Sequence, residues 1–123
     1  MLRLTVAVLL AAVPVTALNA MPVSQFLAKA DALEKKGAMA MFSGDIGVLK
    51  KEITDSAAQL KAERQAAQRA GRKPAYCPRE GAKGSMDSKE ILAHFRAIPP
   101  ARRGMQVKDG LRSLFARKYP CPA

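Results

Sequence analysis

Residues 87–121 read DSKEILAHFRAIPPARRGMQVKDGLRSLFARKYPC, and this stretch decides the fold. Asp87 stands where a helix N-cap is wanted, because its carboxylate can accept from the unpaired N–H groups of a first turn. Glu90, three residues on, completes a capping-box pattern, and Met86 ahead of the cap is placed to pack on Ile91 as a hydrophobic staple. Ile91, Leu92, Phe95 and Ile98 then recur at three- and four-residue steps, so the spacing predicts an amphipathic helix that Pro99-Pro100 ends. A last helix is expected over Val107–Arg117, with Val107, Leu111, Leu114 and Phe115 turned inward. Arg117 and Lys118 suit the negative end of its dipole, and Tyr119-Pro120 stops it just before Cys121.

Working upstream, the same period continues. Val23, Phe26, Leu27, Ala30 and Leu33 form one stripe, opened by Pro22 at a first-turn position and closed by Gly37 as a C-cap. Ala38–Phe42 is a short apolar turn ended by Ser43-Gly44. The longest helix is expected from Asp45, read as its N-cap, to Ala70, with Ile46, Leu49, Ile53, Ala57 and Leu60 on its buried side. Beyond Leu60 the stripe holds only alanine, so Lys61–Ala70 has good helix formers but little to bury and should project. Gly71 stops it, and residues 71–85, rich in Gly, Pro, Lys and Ser, form a loop. No strand pattern of useful length appears. The expected fold class is therefore all-α, a small domain of four to five helices. With four Phe, two Tyr and no Trp, its core must rest on Leu, Ile, Met and Ala.

The N-terminus reads differently. Arg3 is followed by an apolar run from Leu4 to Val13, then Pro14 and small residues through Ala20. Positive, hydrophobic, small is the order of a secretory signal peptide. The run is too short for a bilayer, which needs roughly 20 apolar residues. Cleavage is expected after Ala17 or after Ala20. We divide the chain into a signal peptide, 1–20, and one helical domain, 21–123, in the periplasm or secreted.

The two cysteines, Cys77 and Cys121, lie in alike settings, Tyr76-Cys77-Pro78 and Tyr119-Pro120-Cys121-Pro122. An even count in an exported chain reads as a disulfide, and a domain of this size benefits from one. A metal site would need three or four ligands, and the chain offers two distant cysteines and one His94. A redox pair would normally be spaced C-x-x-C. The expected domain is therefore closed by one bridge.

The formal charge of +11 is unevenly spread. Residues 21–60 balance their lysines against Asp31, Glu34, Asp45, Glu52 and Asp55. The excess lies in two later clusters, Lys61–Lys83 and Arg102–Lys118. Such a field favours an acidic partner, and Arg64, Arg69, Arg72, Lys73, Arg102 and Arg103 are the candidate partner-binding residues. Nucleic acid is a poor fit: only Tyr76, Phe115 and Tyr119 interleave with the basic segments, and single-strand binding needs stacking aromatics. Peripheral contact with an anionic membrane surface is compatible with the charge, although Lys61–Lys73 has no large apolar side chain to insert.

Catalytic constellations are thin. His94 lies at the margin of its helix stripe with no thiol to activate once the cysteines pair. Glu52 and Asp55 neighbour Lys50 and Lys51, an exposed ion-pair face. Gly81-Ala82-Lys83-Gly84-Ser85 lacks the preceding strand and the spacing of a phosphate loop. Nothing in these residue patterns leads us to expect an enzyme, a cofactor or a metal.

The Cys77–Cys121 stretch resembles the Rap/Tai family of periplasmic immunity proteins, which act against type VI secretion amidase toxins. The resemblance rests on Cys77-Pro78, the capped helix Ile91 to Phe95, the break Ile98-Pro99-Pro100-Ala101-Arg102-Arg103, the last helix Val107 to Leu111, and the closing Tyr119-Pro120-Cys121. It implies a compact helical fold, a Cys77–Cys121 disulfide and a protein–protein role in the periplasm, with an amidase-type toxin as partner. The long helix before Cys77 and its basic loop lie outside the family pattern. The leading expectation is thus an immunity-like binding domain. The alternatives are a periplasmic stress or chaperone-like protein using Met39, Met41, Met86 and Met105 as adaptable contacts, and a basic protein that binds anionic surfaces.

Overall fold

A computed structural model describes residues 20–79 and 87–123. The expected signal peptide, the glycine-containing run 81–85 and the Met86 staple lie outside the described residues. Four helices account for the fold: α1 Val23–Lys36, α2 Gly44–Arg69, α3 Ser88–Ala97 and α4 Val107–Lys118. Short 3₁₀ segments, Gly37–Phe42 and Pro100–Arg102, join α1 to α2 and lead from α3 toward α4. Cys77 and Cys121 form the disulfide, with Cα atoms 4.8 Å apart.

The helix starts show how each set of orphan N–H groups is met. Pro22 precedes α1 and offers no side-chain acceptor. The first two N–H groups of α1, on Val23 and Ser24, donate instead to the carbonyls of Met105 and Arg103, each at 2.9 Å. In return the Val107 N–H at the start of α4 donates to the Met21 carbonyl at 2.9 Å. The two helices therefore begin from one antiparallel bridge, Pro22 against Gln106, and each entry turn satisfies the other's backbone.

Two caps differ from the sequence reading. The N-cap of α2 is Ser43, whose Oγ accepts from the Asp45 N–H, and not Asp45 itself. Asp45 is drawn instead to Lys29 across the α1–α2 interface. Asp87 does cap α3, accepting from the Lys89 N–H at 3.1 Å. Glu90, however, reaches Lys118 of α4 at 2.8 Å rather than turning back to its own cap. In both cases a charge on another helix offers a carboxylate a stronger partner than a local N–H.

The core forms where α1 and α4 pack on α2 and α3 packs on α1 and α4. Phe95, Val23, Val107, Leu111, Leu114 and Leu60 are fully enclosed. Phe26 meets Phe95 edge to face, ring centroids 5.3 Å apart, a geometry that sets the positive edge of one ring on the negative face of the other. Tyr76, just before the bridge, is buried against Phe115 with centroids 5.1 Å apart. The Cys77 N–H donates to the Tyr119 carbonyl at 2.8 Å, so the loop after α2 is tied to the end of α4 by backbone as well as sulfur.

Gly110 is what lets α4 lie so close. A Cβ there would stand 2.9 Å from Phe95 Cε1 and 3.3 Å from Val23 Cγ2, both on enclosed side chains. Gly110→Ala should therefore destabilise the fold: overpacking costs about 1–3 kcal/mol, against about 1 kcal/mol of helix propensity gained. Gly47→Ala in α2, where a Cβ meets nothing within 4 Å, should gain the propensity alone. Paired urea melts of opposite sign would bear this out, and a stabilising Gly110→Ala would contradict the packing.

The buried side of α2 is narrower than its periodicity suggests. Leu49, Ser56 and Leu60 are buried, whereas Ile46, Ile53 and Ala57 are only half-buried. The reason is where α3 packs: it lies chiefly on α1 and α4, and a groove separates it from Ile46, Leu49 and Ile53 of α2.

Candidate interaction surfaces

The uncovered stripe forms an open groove of about 590 Å³ between α1, α2 and α3. Phe26, Ala30 and Leu33 supply one wall, Ile46, Leu49 and Ile53 the second, and Ile91 and Leu92 the third. Its polar margin is Glu34, Lys50, Thr54 and Ser88. Glu34 is held by Arg96 at 2.8 Å, and the Thr54 hydroxyl donates to the Lys50 carbonyl at 2.8 Å. Lys50 is the one charge on this margin without an ion pair to a described residue.

A second cleft, of about 540 Å³, lies between α3 and α4 beside the Pro99–Arg102 turn and contains the one histidine. His94 Nε2 is 2.8 Å from Ser113 Oγ, and Ser113 Oγ donates to the Gly110 carbonyl at 2.8 Å. The hydroxyl has one hydrogen, so Nε2 must carry its own proton and donate to Oγ. That direction is opposite to the one a serine nucleophile needs, in which the imidazole takes the hydroxyl proton. Nδ1 is buried with no partner, and Asp109, in the same cleft, is held by Arg112. As it stands, the pair clasps α3 to α4.

Burial, and after it the charge of Arg117, lowers the His94 pKa from its ordinary value. A histidine depressed in the folded state stabilises the fold above its unfolded pKa, near 6.5, and that contribution is lost as pH falls through the lower folded value. Between about pH 7.5 and 5 the thermal midpoint should thus fall more steeply for the native chain than for His94→Gln. A midpoint that rises on acidification would reverse the assignment.

The ion pairs distribute the surface charge. Lys29–Asp45 joins α1 to α2, and Arg96 on α3 reaches Asp31 and Glu34 on α1. Glu63 on α2 receives Lys108 and Arg112 from α4, and Lys118 holds Glu90. The Lys108 hydrogen bond is the largest influence on Glu63 and holds its carboxyl below the usual range. Lys51–Asp55 lies within α2, and Arg112 also holds Asp109 within α4. Singly such exposed pairs contribute little to stability. Their collective effect is on the field. Among the described acidic residues, only Glu52 and the helix-capping Asp87 have no ion pair to another described residue, and the same holds for Lys35, Lys36, Lys50, Lys61, Arg69, Arg72, Lys73, Arg79, Lys89, Arg102 and Arg117. The uncommitted charge is almost wholly positive.

The six basic candidates fall into different roles. Arg69, Arg72 and Lys73 are exposed at the C-terminal end of α2, as the alanine-only stripe led us to expect. Arg64 is folded over the Tyr76 ring, 5.4 Å from its centroid, with Nε buried and unpaired. Arg103 donates to the Ile98 carbonyl and the Arg96 carbonyl, each at 2.9 Å, closing the turn after α3. Arg102 is exposed on that turn. Arg64 and Arg103 are thus engaged within the fold, and Arg69, Arg72, Lys73 and Arg102 face outward.

Among the described residues four large apolar side chains are exposed, and periodicity did not single them out. Met39, Met41 and Phe42 are 66%, 83% and 85% exposed on the Gly37–Phe42 segment, and Val48 is 45% exposed near the start of α2. Among the described residues, no group of three or more His, Cys, Asp or Glu is placed to hold a metal ion, and no helix is long and apolar enough to cross a membrane. Compared with protein-family models, curated proteins and solved structures, the chain matches none.

Proposed function

We propose that the chain is an exported periplasmic domain that acts by docking on an acidic partner protein rather than by catalysis. The observation that carries the reading is the disposition of charge. Seven of the nine described carboxylates are held in ion pairs, five of them by another helix, and the lysines and arginines left over face water. An acidic surface approaching this molecule meets uncompensated cations and hardly any repelling carboxylate, which favours both rate of encounter and choice of partner. Arg69, Arg72 and Lys73, together at the end of α2, are the first contact. An apolar side chain on the same partner would find the groove beside Lys50. The N-terminal pattern and the disulfide are compatible with the oxidising compartment this requires. The resemblance of Cys77–Cys121 to the Rap/Tai family gives the partner a specific form, an amidase-type toxin.

Residues 21–123, oxidised, serve as bait in native form and as Arg69→Glu/Arg72→Glu/Lys73→Glu against envelope and secreted fractions, read by mass spectrometry at low and moderate salt. One acidic protein in stoichiometric amount, retained at moderate salt and lost with the triple variant, is the expected result. A broad set of weak partners recovered equally by both baits would contradict it and favour a chaperone-like role.

A further inference from the structure

We propose that the 3₁₀ segment Gly37–Phe42 is a membrane-seating tip that inserts into an anionic lipid surface. None of its six residues is buried. Met39, Met41 and Phe42 are held out in water although the groove between the helices it joins is open and apolar. Contiguous apolar exposure of this kind marks a contact surface. The tip is also flanked by cations. Lys35 and Lys36 form the last turn of α1, and neither has an ion pair to a described residue. The nearest carboxylates in sequence, Glu34 and Asp45, are neutralised by Arg96 and Lys29. What faces outward is therefore methionine and phenylalanine, with two exposed lysines on the N-terminal side.

Shape decides the occupant. The segment turns outward at Gly37, whose φ of 55° lies in the region that favours glycine. It is a short convex connection between two helices. A stable protein interface draws on about 20–30 residues from each side, and this segment has six. A bilayer needs no complementary shape: apolar side chains enter the boundary between headgroups and acyl chains while lysines stay at phosphate level. The surface is separate from the Arg69–Lys73 end of α2, the basic segment that the charge pattern alone would turn toward a membrane.

The test is flotation of the oxidised 21–123 domain with phosphatidylcholine vesicles, with and without phosphatidylglycerol. Binding is expected only with phosphatidylglycerol. Each buried methylene is worth about fourfold in partitioning, so Met41→Ser/Phe42→Ser should weaken it by more than roughly tenfold. These side chains are exposed, so the thermal midpoint should not change. Lys35→Glu/Lys36→Glu should also release the protein, and Arg69→Glu/Arg72→Glu/Lys73→Glu should leave most binding in place. Phe42→Trp supplies a direct readout, a blue-shifted indole emission on phosphatidylglycerol vesicles. The proposal is overturned by absence of binding, by Met41→Ser/Phe42→Ser binding as tightly as the native chain, or by an unshifted emission from vesicle-bound Phe42→Trp protein. A blue shift that grows with protein concentration without vesicles would equally overturn it, showing that the tip meets a second copy.

Discussion

Truncating Phe95 to alanine is expected to remove about 3–5 kcal/mol of stability. Phe95 is fully enclosed and joins three helices at once. It belongs to α3, meets Phe26 of α1 edge to face, and fills the space opposite Gly110 of α4. Loss of the ring removes its transfer free energy and leaves a cavity that cannot collapse, because Val23, Val107, Leu111 and Leu114 around it are themselves enclosed. A domain of this size holds only about 5–15 kcal/mol in all. The thermal midpoint should drop by more than about 12 °C, at 4–8 °C per kcal/mol. A loss below about 1 kcal/mol would mean that the three helices do not converge on this ring.

Removing the bridge should have an effect of similar size. Cys77 and Cys121 are 44 positions apart, and in the chain-entropy account a loop of that length restricts the unfolded chain by about 4 kcal/mol. Cys77→Ser/Cys121→Ser should lose most of this in urea unfolding. The loss should appear first around the bridge. Tyr76, which packs on Phe115 of α4 and beneath the Arg64 guanidinium of α2, belongs to the loop that the bridge ties to α4. Hydrogen exchange at the Cys77 and Tyr119 amides should accelerate well before that at Leu111 and Leu114. Equal acceleration at all four would mean that the loop and the helical core open as one unit.

Phe95 and the cysteine pair also mark what could be read in the sequence. Between Asp87 and Cys121 three of the four helix boundaries have a local cause, a capping aspartate, a Pro-Pro stop and an aromatic-Pro ending, while the start of α4 rests on the distant Met21 carbonyl. The helices appear where those causes place them, and the cysteines pair. What was not legible depends on partners distant in the chain. Ser43 and Asp45 are both good caps, and the choice between them turns on Lys29 taking Asp45. Glu90 fits a capping box until Lys118 claims it. The period of α2 told that Ile46 and Ile53 face inward, but not that α3 packs on α1 and α4 and leaves them beside an open groove. The His94–Ser113 clasp spans 19 positions and leaves no local pattern. Met39, Met41 and Phe42 read as apolar, and apolar residues suggest a core. They lie on a 3₁₀ segment none of whose residues is buried, which no local pattern announces. Charge was legible as a total and as two clusters. Which cations remain free was not, because it depends on ion pairs between helices.

The binding reading depends on the chain leaving the cytoplasm with its cysteines paired, and the intact mass of the protein recovered from the envelope fraction addresses this most directly. After alkylation under denaturing conditions without reductant, the mass should be that of a chain starting after Ala17 or Ala20, two hydrogens lighter and carrying no alkyl group. A full-length chain beginning at Met1, with Cys77 and Cys121 both alkylated, would contradict the account.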